Sequence, residues 1–120
     1  MKRVFQAAAA AVLSVCVAVP LASFEPAHAQ TGMASYYKSG KRTANGERFV
    51  PGGLTAAHRT LPFGTKVRVT DQRTGRAIVV RINDRGPFKP GRVIDLSYAA
   101  AAVLGMQALG LTRVKLSVEN

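Results

Sequence analysis

The chain has 120 residues, enough for one domain with a sizeable core, and its 48% apolar content excludes a disordered tail. Its 17 Lys and Arg against 6 Asp and Glu give a net charge of +11, which favours an acidic partner: nucleic acid, anionic lipid or an acidic polymer. One Cys excludes an intrachain disulfide framework and a Cys-rich zinc site, the lack of an acidic run argues against a calcium loop, and without Trp any aromatic platform for nucleic acid is small.

The first segment reads as a leader. Met1-Lys2-Arg3 is basic, an uncharged Ala- and Val-rich stretch runs from Val4 to Phe24, and Ala27-His28-Ala29 places small residues at alternate positions. These are the three parts of a secretory signal, with cleavage expected after Ala29. The rival is an uncleaved membrane anchor, but Ala is weakly apolar and Pro20 stands where a spanning helix would continue. Lipidation at Cys16 requires a small residue before it; Val15 is branched, so Cys16 is expected to be an ordinary apolar residue of the leader. Removing the leader with Lys2, Arg3 and Glu25 leaves 91 residues carrying +10 and no Cys, which suits an oxidising compartment.

From Gln30 onward, turn formers come often: Asn45-Gly46, Pro51-Gly52-Gly53, Pro62-Phe63-Gly64, Thr74-Gly75, Gly86-Pro87. Between them, Met33 to Tyr37 is a short run ending in aromatics. Lys66 to Thr70 alternates with period two, as a half-buried strand does. Arg76 to Ile82 is β-branched and mostly apolar and predicts a more central strand, with Asp71 to Gly75 as the hairpin loop between the two. Arg92 to Ile94 and Arg113 to Val118 predict further strands. Ser97 to Leu109 is Ala-rich at near-helical spacing and predicts one helix, capped by Ser97 and ended by Gly110. About six short strands with regular turns predict a mainly β, closed barrel in a single domain, residues 30–120.

Only five acidic residues follow the leader: Glu47, Asp71, Asp84, Asp95 and Glu119. Asp71 in a hairpin loop and Glu119 at the terminus are expected to be solvated. Asp95, between Ile94 and Leu96, is expected to be structural. Glu47 follows the Asn45-Gly46 turn, which presents it at a strand edge. Asp84 ends an apolar strand ahead of Gly86-Pro87; it is either a turn former bonding its own backbone or a site residue. His58 is the one His left after the leader, more often a structural group than a ligand, and no second His or Cys joins it in a metal site. No Gly-x-Ser-x-Gly elbow and no Gly-rich phosphate loop is present. Two carboxylates in a basic domain suit glycosidic-bond cleavage, one protonating the leaving oxygen and the other stabilising positive charge or acting as base. Pattern alone leaves this open beside a simple binding module.

The segments Gly32-Met33-Ala34-Ser35-Tyr36-Tyr37, Thr43-Ala44-Asn45-Gly46-Glu47, Leu54 to Thr65, Val80-Arg81-Ile82-Asn83-Asp84-Arg85-Gly86-Pro87-Phe88 and Ile94-Asp95-Leu96-Ser97 closely resemble the rare lipoprotein A (RlpA) family, in order and over Thr31 to Asn120. The resemblance implies a six-stranded double-psi β-barrel related to expansin and family-45 glycosidase domains. It implies endolytic peptidoglycan lytic transglycosylase activity in the bacterial envelope: the muramyl 6-hydroxyl attacks in place of water and leaves a 1,6-anhydro end. Glu47, His58 and Asp84 match the family's functional positions. The resemblance does not divide the roles of the two carboxylates; Asp84, at the end of an apolar strand, is the expected acid and base and Glu47, after a solvated turn, the charge stabiliser, with the exchanged assignment as the alternative and His58 orienting one of them. Tyr37, Arg81, Asn83 and Arg85 are the residues expected to hold the glycan. The stretch between Tyr37 and Thr43 departs from the commonest pattern of the family, lacking its Phe-His-Gly piece, and no peptidoglycan-binding repeat follows within these 120 residues.

The leading expectation is therefore a periplasmic or envelope enzyme acting on peptidoglycan strands, a monomer, with no cofactor, metal, nucleic-acid partner or membrane domain after processing. The alternative is a non-catalytic, expansin-like glycan-binding module.

Overall fold

The protein is described by a computed structural model over residues 29–37, 43–48, 50 and 52–119. The expected leader up to His28, Cys16 included, and the divergent stretch 38–42 lie outside the described residues.

Six strands and one helix follow in order: β1 (Gln30–Tyr37), β2 (Thr55–Ala57), β3 (Lys66–Asp71), β4 (Ala77–Asp84), β5 (Arg92–Ser97), α1 (Tyr98–Leu104) and β6 (Thr112–Glu119). The strands close into a barrel in the order β1-β5-β2-β4-β3-β6. Two pairs, β1 with β5 and β2 with β4, are parallel, and the remaining pairs are antiparallel. Parallel neighbours cannot be joined by a tight turn, so the chain crosses over twice. The interlocked crossings make the barrel double-psi, as the resemblance implies.

Alternation builds the interior. On β3, Val67 and Val69 point inward while Lys66 and Arg68 face solvent; on β6, Val114 and Leu116 point inward while Arg113 faces out. Ile82, Ile94, Leu96, Leu104, Met106 and Leu116 are fully enclosed. Each such side chain contributes about 1.5–3 kcal/mol relative to exposure. A three-residue strand such as β2 carries no periodicity of its own; its place is set by β4 and β5 on either side.

Two expectations are corrected. The helix ends at Leu104, not Leu109. Gly105 adopts φ 71°, the left-handed region, and its N–H closes on the carbonyls of Ala101 and Ala102. The chain then turns, burying Met106 and leaving Leu109 exposed. The cap at Ser97 is as expected: its Oγ accepts from the Ala100 N–H at 3.3 Å and donates to the Gly53 carbonyl at 2.6 Å. Asp71 is not solvated. It is fully buried, with Oδ1 accepting from Arg73 N at 2.8 Å and from Thr112 Oγ1 at 3.2 Å, and Oδ2 meeting Arg73 Nη2 at 3.1 Å. A hairpin loop alone would expose it; packing of β6 beside the loop covers it. Among the described residues no helix is long and apolar enough to cross a membrane.

Candidate functional site

The site forms where the turn at 43–48 folds over the end of β4. Thr43 N donates to the Glu47 carbonyl and Gly46 N to the Thr43 carbonyl, both at 2.9 Å. Gly46 sits at φ 90°, which an L side chain rarely adopts, so the Asn-Gly pair makes this turn possible. Asn45 Oδ1 accepts from Thr43 Oγ1 at 2.6 Å and from Glu47 N at 3.0 Å. Two bonds pin the turn to the strand: Ala44 N to Asp84 Oδ1 at 2.8 Å and Asn45 N to the Asn83 carbonyl at 3.3 Å.

Glu47 thereby reaches back onto β4. Arg81 grips it with both nitrogens, Nη1 to Oε2 at 2.7 Å and Nη2 to Oε1 at 2.8 Å. Asn45 Nδ2 and Asn83 Nδ2 add donors at 2.9 and 3.2 Å. Four hydrogen bonds to the charged form, the Arg81 pair foremost, hold the Glu47 carboxyl down to about 2. Its partner Arg81 is raised by the same contact.

Asp84 lies at the strand end, and a bulge aims it. The parallel register steps from Ala56 opposite Ile82 to Ala57 opposite Asp84, leaving Asn83 as the extra residue. Strict alternation would turn Asp84 to the side of buried Ile82; the bulge returns it to the outer face with Arg81 and Asn83. Asp84 Oδ1 also accepts from Arg85 N at 2.9 Å, while Oδ2 has no hydrogen bond among the described residues.

Ala57 faces Asp84 on one side and Asp95 on the other. The two aspartates thus flank a single methyl group two strands apart, about 10 Å along the sheet. Asp95 is a site neighbour that sequence reasoning set aside as structural. Burial pushes its carboxyl up, against a 3.0 Å bond from Ser35 Oγ and the charge of Arg92, and Asp84's charge raises it further. Its alternation out of the core between Ile94 and Leu96 was legible; its two-strand distance from Asp84 was not. Tyr37, at the end of β1, belongs to the same corner: burial above all, with the charges of Asp84 and Asp95, keeps its hydroxyl protonated to higher pH, while the Thr55 side chain offsets part of this.

Expectation and structure differ at His58. The His58 ring orients neither carboxylate. Its Nδ1 accepts from Thr60 N and Leu61 N, both at 3.1 Å, so the neutral ring carries its proton on Nε2 and donates to Gln30 Oε1 at 3.0 Å. Burial, then the charges of Arg59 and Arg85, lower its basicity. His58 touches the site through its main chain, whose N–H donates to the Asp84 carbonyl at 3.2 Å. Arg85 turns its guanidinium away from the Asp84 carboxylate: Nη1 donates to the carbonyls of His58 and Leu61 at 3.1 and 2.9 Å, and the group stacks on Phe63 at 4.0 Å. Arg81, expected on the glycan, is engaged by Glu47. Among the described residues no three His, Cys, Asp or Glu side chains converge as metal ligands do.

Fold and site together define a small double-psi barrel with carboxylates on the outer face at one strand end. The chain belongs to the lytic transglycolase family, whose pattern it matches over residues 29–116, and is RlpA-like. It is 60% identical over 92 residues to the probable endolytic peptidoglycan transglycosylase RlpA of Nostoc sp., covering 72% of this chain and 25% of that one. It is 51% identical over 92 residues to the endolytic peptidoglycan transglycosylase RlpA of Pseudomonas aeruginosa, covering 74% and 27%. The chain thus spans about a quarter of the length of these relatives. In fold it is similar to the Streptomyces papain inhibitor (TM-score 0.65, 24% identity, 82% of this chain and all of that one). It is also similar to a mutant expansin of Clavibacter michiganensis in complex with cellohexaose (TM-score 0.61, 18% identity, 77% and 50%).

Proposed function

We propose that this domain is an endolytic peptidoglycan lytic transglycosylase that cuts the MurNAc–GlcNAc β-1,4 bond of peptide-denuded glycan, in wall remodelling or daughter-cell separation. The observation that carries the reading is the pairing of a fully ionised carboxylate, Glu47 in the grip of Arg81, with a second carboxylate, Asp84, hydrogen-bonded to the same turn. The names of the relatives over the same stretch support it.

In this mechanism Asp84 Oδ2 holds a proton and gives it to the leaving glycosidic oxygen as the C1–O bond breaks. Glu47 stabilises the oxocarbenium-like charge at C1. The Asp84 carboxylate then takes the proton of the muramyl 6-hydroxyl, whose oxygen bonds C1. The proton count is restored and no water is consumed. His58 acts as a positioning residue through the main-chain bond to Asp84 and the bonds that shape residues 58–61. Residues 1–29 direct export and are removed, so the domain works in the periplasm or envelope, without lipid at Cys16, as a monomer. Peptide-free glycan carries a lactyl carboxylate on every muramyl unit, and the basic domain meets that polyanion with its excess of cations, Arg48 beside Glu47 among them.

The likeness to an expansin bound to cellohexaose favours one other reading, a glycan-binding module without catalysis. Digestion of denuded glycan by wild type, Asp84→Asn and Glu47→Gln, followed by mass spectrometry, separates the two. Anhydro-muramyl ends from wild type that vanish in both variants support the enzyme. No product from wild type supports the module, and ordinary reducing ends mean hydrolysis.

A further inference from the structure

The acids of the candidate site and a row of cations stand on opposite sides of the barrel. In the closed order β1-β5-β2-β4-β3-β6, β6 lies directly across from β2. Asp84 and Asp95 flank Ala57 of β2, and Glu47 reaches onto β4. On the far side, alternation turns every second residue of β3 and β6 outward, and the antiparallel register sets these side chains in line. Lys66 stands opposite Glu119, Arg68 opposite Ser117 and Lys115 opposite Thr70. Arg113 follows, its carbonyl bonded to Gln72 N just past the last pair. Four successive outward positions thus hold one cation each, about 7 Å from the next, along about 20 Å. Among the described residues one acid, Glu119, faces this row, and it meets Arg68 at 3.1 Å.

The row ends in aliphatic side chains. Leu111 continues the outward alternation of β6 and Leu109 precedes it; they are 38% and 53% exposed. Cations in line with exposed leucines fit a lipid interface, the cations meeting anionic headgroups and the leucines the boundary with the acyl chains. An acidic polysaccharide would engage the cations and leave the leucines in water. A single-stranded nucleic acid calls for aromatic platforms, and the exposed Phe63 and Phe88 lie elsewhere, beside the candidate site. We propose that the outer face of β3 and β6, with Leu109 and Leu111 at its end, docks on an anionic phospholipid bilayer and so turns Glu47, Asp84 and Asp95 away from the membrane. The inference goes beyond the catalytic reading and takes from it only the envelope, where membrane and wall are parallel layers. A domain seated on the membrane by β6 presents β2, and the site beside it, to the wall. Such attachment needs no lipid at Cys16 and is reversible, because a few cations and two leucines hold far less firmly than a spanning helix.

The test sediments the processed protein with vesicles of phosphatidylcholine, alone or mixed with phosphatidylglycerol. Binding is expected to the anionic vesicles and not to the neutral ones, and to fall as salt is raised. Lys66→Gln combined with Arg113→Gln is expected to weaken it about 25-fold, about fivefold for each cation near a charged surface. Both side chains are exposed, so the fold is kept, which an unchanged unfolding midpoint checks. Arg48→Gln combined with Arg59→Gln removes the same charge from the half that holds the site and is expected to leave vesicle binding within about twofold of wild type. Leu109→Ser is expected to weaken binding several-fold. Equal losses in the two double variants would mean that net charge alone acts, and would overturn the face. Equal binding to both vesicles, or binding to neither, overturns it too. Denuded glycan is digested in solution in parallel. If Lys66→Gln with Arg113→Gln impairs digestion as much as vesicle binding, the face serves glycan and not lipid, and the proposal falls. Cleavage by wild type without vesicle binding removes the docking surface and leaves the enzyme standing; vesicle binding without cleavage does the reverse.

Discussion

Glu47 and Asp95 are both carboxylates on the outer face of the barrel, and the protein treats them in opposite ways. Glu47 hangs from an exposed turn, yet four hydrogen-bond donors hold it ionised down to about 2. Asp95 sits on a central strand, half-buried, with Ser35 Oγ as its hydrogen-bond donor, and is pushed the other way. Exposure is therefore a poor guide to charge here; the number and charge of donors outweigh solvent at Glu47, and desolvation outweighs one hydroxyl at Asp95. Asp84 lies between these two environments, tied to the turn of the first and facing the second across Ala57. Contrasting environments of this kind set the charge states of neighbouring carboxyls apart.

The largest expected effect comes from removing the group between them. Asp84→Asn lowers formation of anhydro-muramyl ends about 10²–10⁴-fold, the usual cost of losing a proton donor, while glycan binding and the thermal unfolding midpoint stay near wild type. Wild-type product rates in this variant, read by mass spectrometry, would remove Asp84 from the mechanism.

Next is the grip on Glu47. Arg81→Met deletes the largest cause of its low pKa and leaves the carboxylate loosely placed, for a loss of about 10–100-fold in rate. Glu47 is depressed from 4.5 to about 2, so its ionised form is secure above 4.5 in wild type and is lost only as pH falls through about 2. In Arg81→Met the acid limb governed by Glu47 moves up toward 4.5, and an unmoved limb in the pH–rate profile would show that Arg81 is not what holds Glu47.

Asp95 sharpens the contrast through stability. Its folded pKa is raised above 3.8, so the native state holds a proton that the unfolded chain releases, and stability declines as pH rises from 3.8 through the folded value. Asp95→Asn keeps a group of the same shape and removes that decline. Unfolding midpoints measured across this range should fall in wild type and stay flat in the variant. Parallel profiles would mean that burial does not oppose the Asp95 charge.

The smallest effect concerns His58, which is lowered below 6.5. Stability is expected to be whole above 6.5 and to decline as pH drops toward the folded value, because a proton on Nδ1 would face the N–H groups of Thr60 and Leu61. His58→Gln should lose that dependence in unfolding midpoints while retaining product formation; loss of product with an intact fold would give the ring a direct part in the chemistry.

Much of this was legible in the chain. The alternation in Lys66–Thr70 and the apolar run before Asn83 mark β3 and β4, and Asn45-Gly46 announces the turn that carries Glu47. Ser97 announces the helix start. The helix end is ambiguous in the sequence because Gly105 and Gly110 are both acceptable stops, and only the burial of Met106 selects the earlier one. Asp71 reads as solvated because its cover comes from Thr112, 41 residues away. The orientation of the His58 ring is hidden for a related reason: its partners are in Thr60, Leu61 and Gln30, and no pattern in the sequence reports which way a ring turns.

By itself the sequence determined the strands other than β2, the start of the single helix, the basic charge and the short inventory of acids from which a site had to be made, because period, turn chemistry and composition act over a few residues. Tertiary structure alone decided which acids meet and in what state. The bulge at Asn83 turns Asp84 outward, the pairing of β2 with both β4 and β5 sets Asp95 across Ala57 from it, and β4 delivers Arg81 to Glu47 from 34 residues away. Charge state depends on distance and desolvation, and both are properties of neighbours that the chain brings together only when the barrel closes.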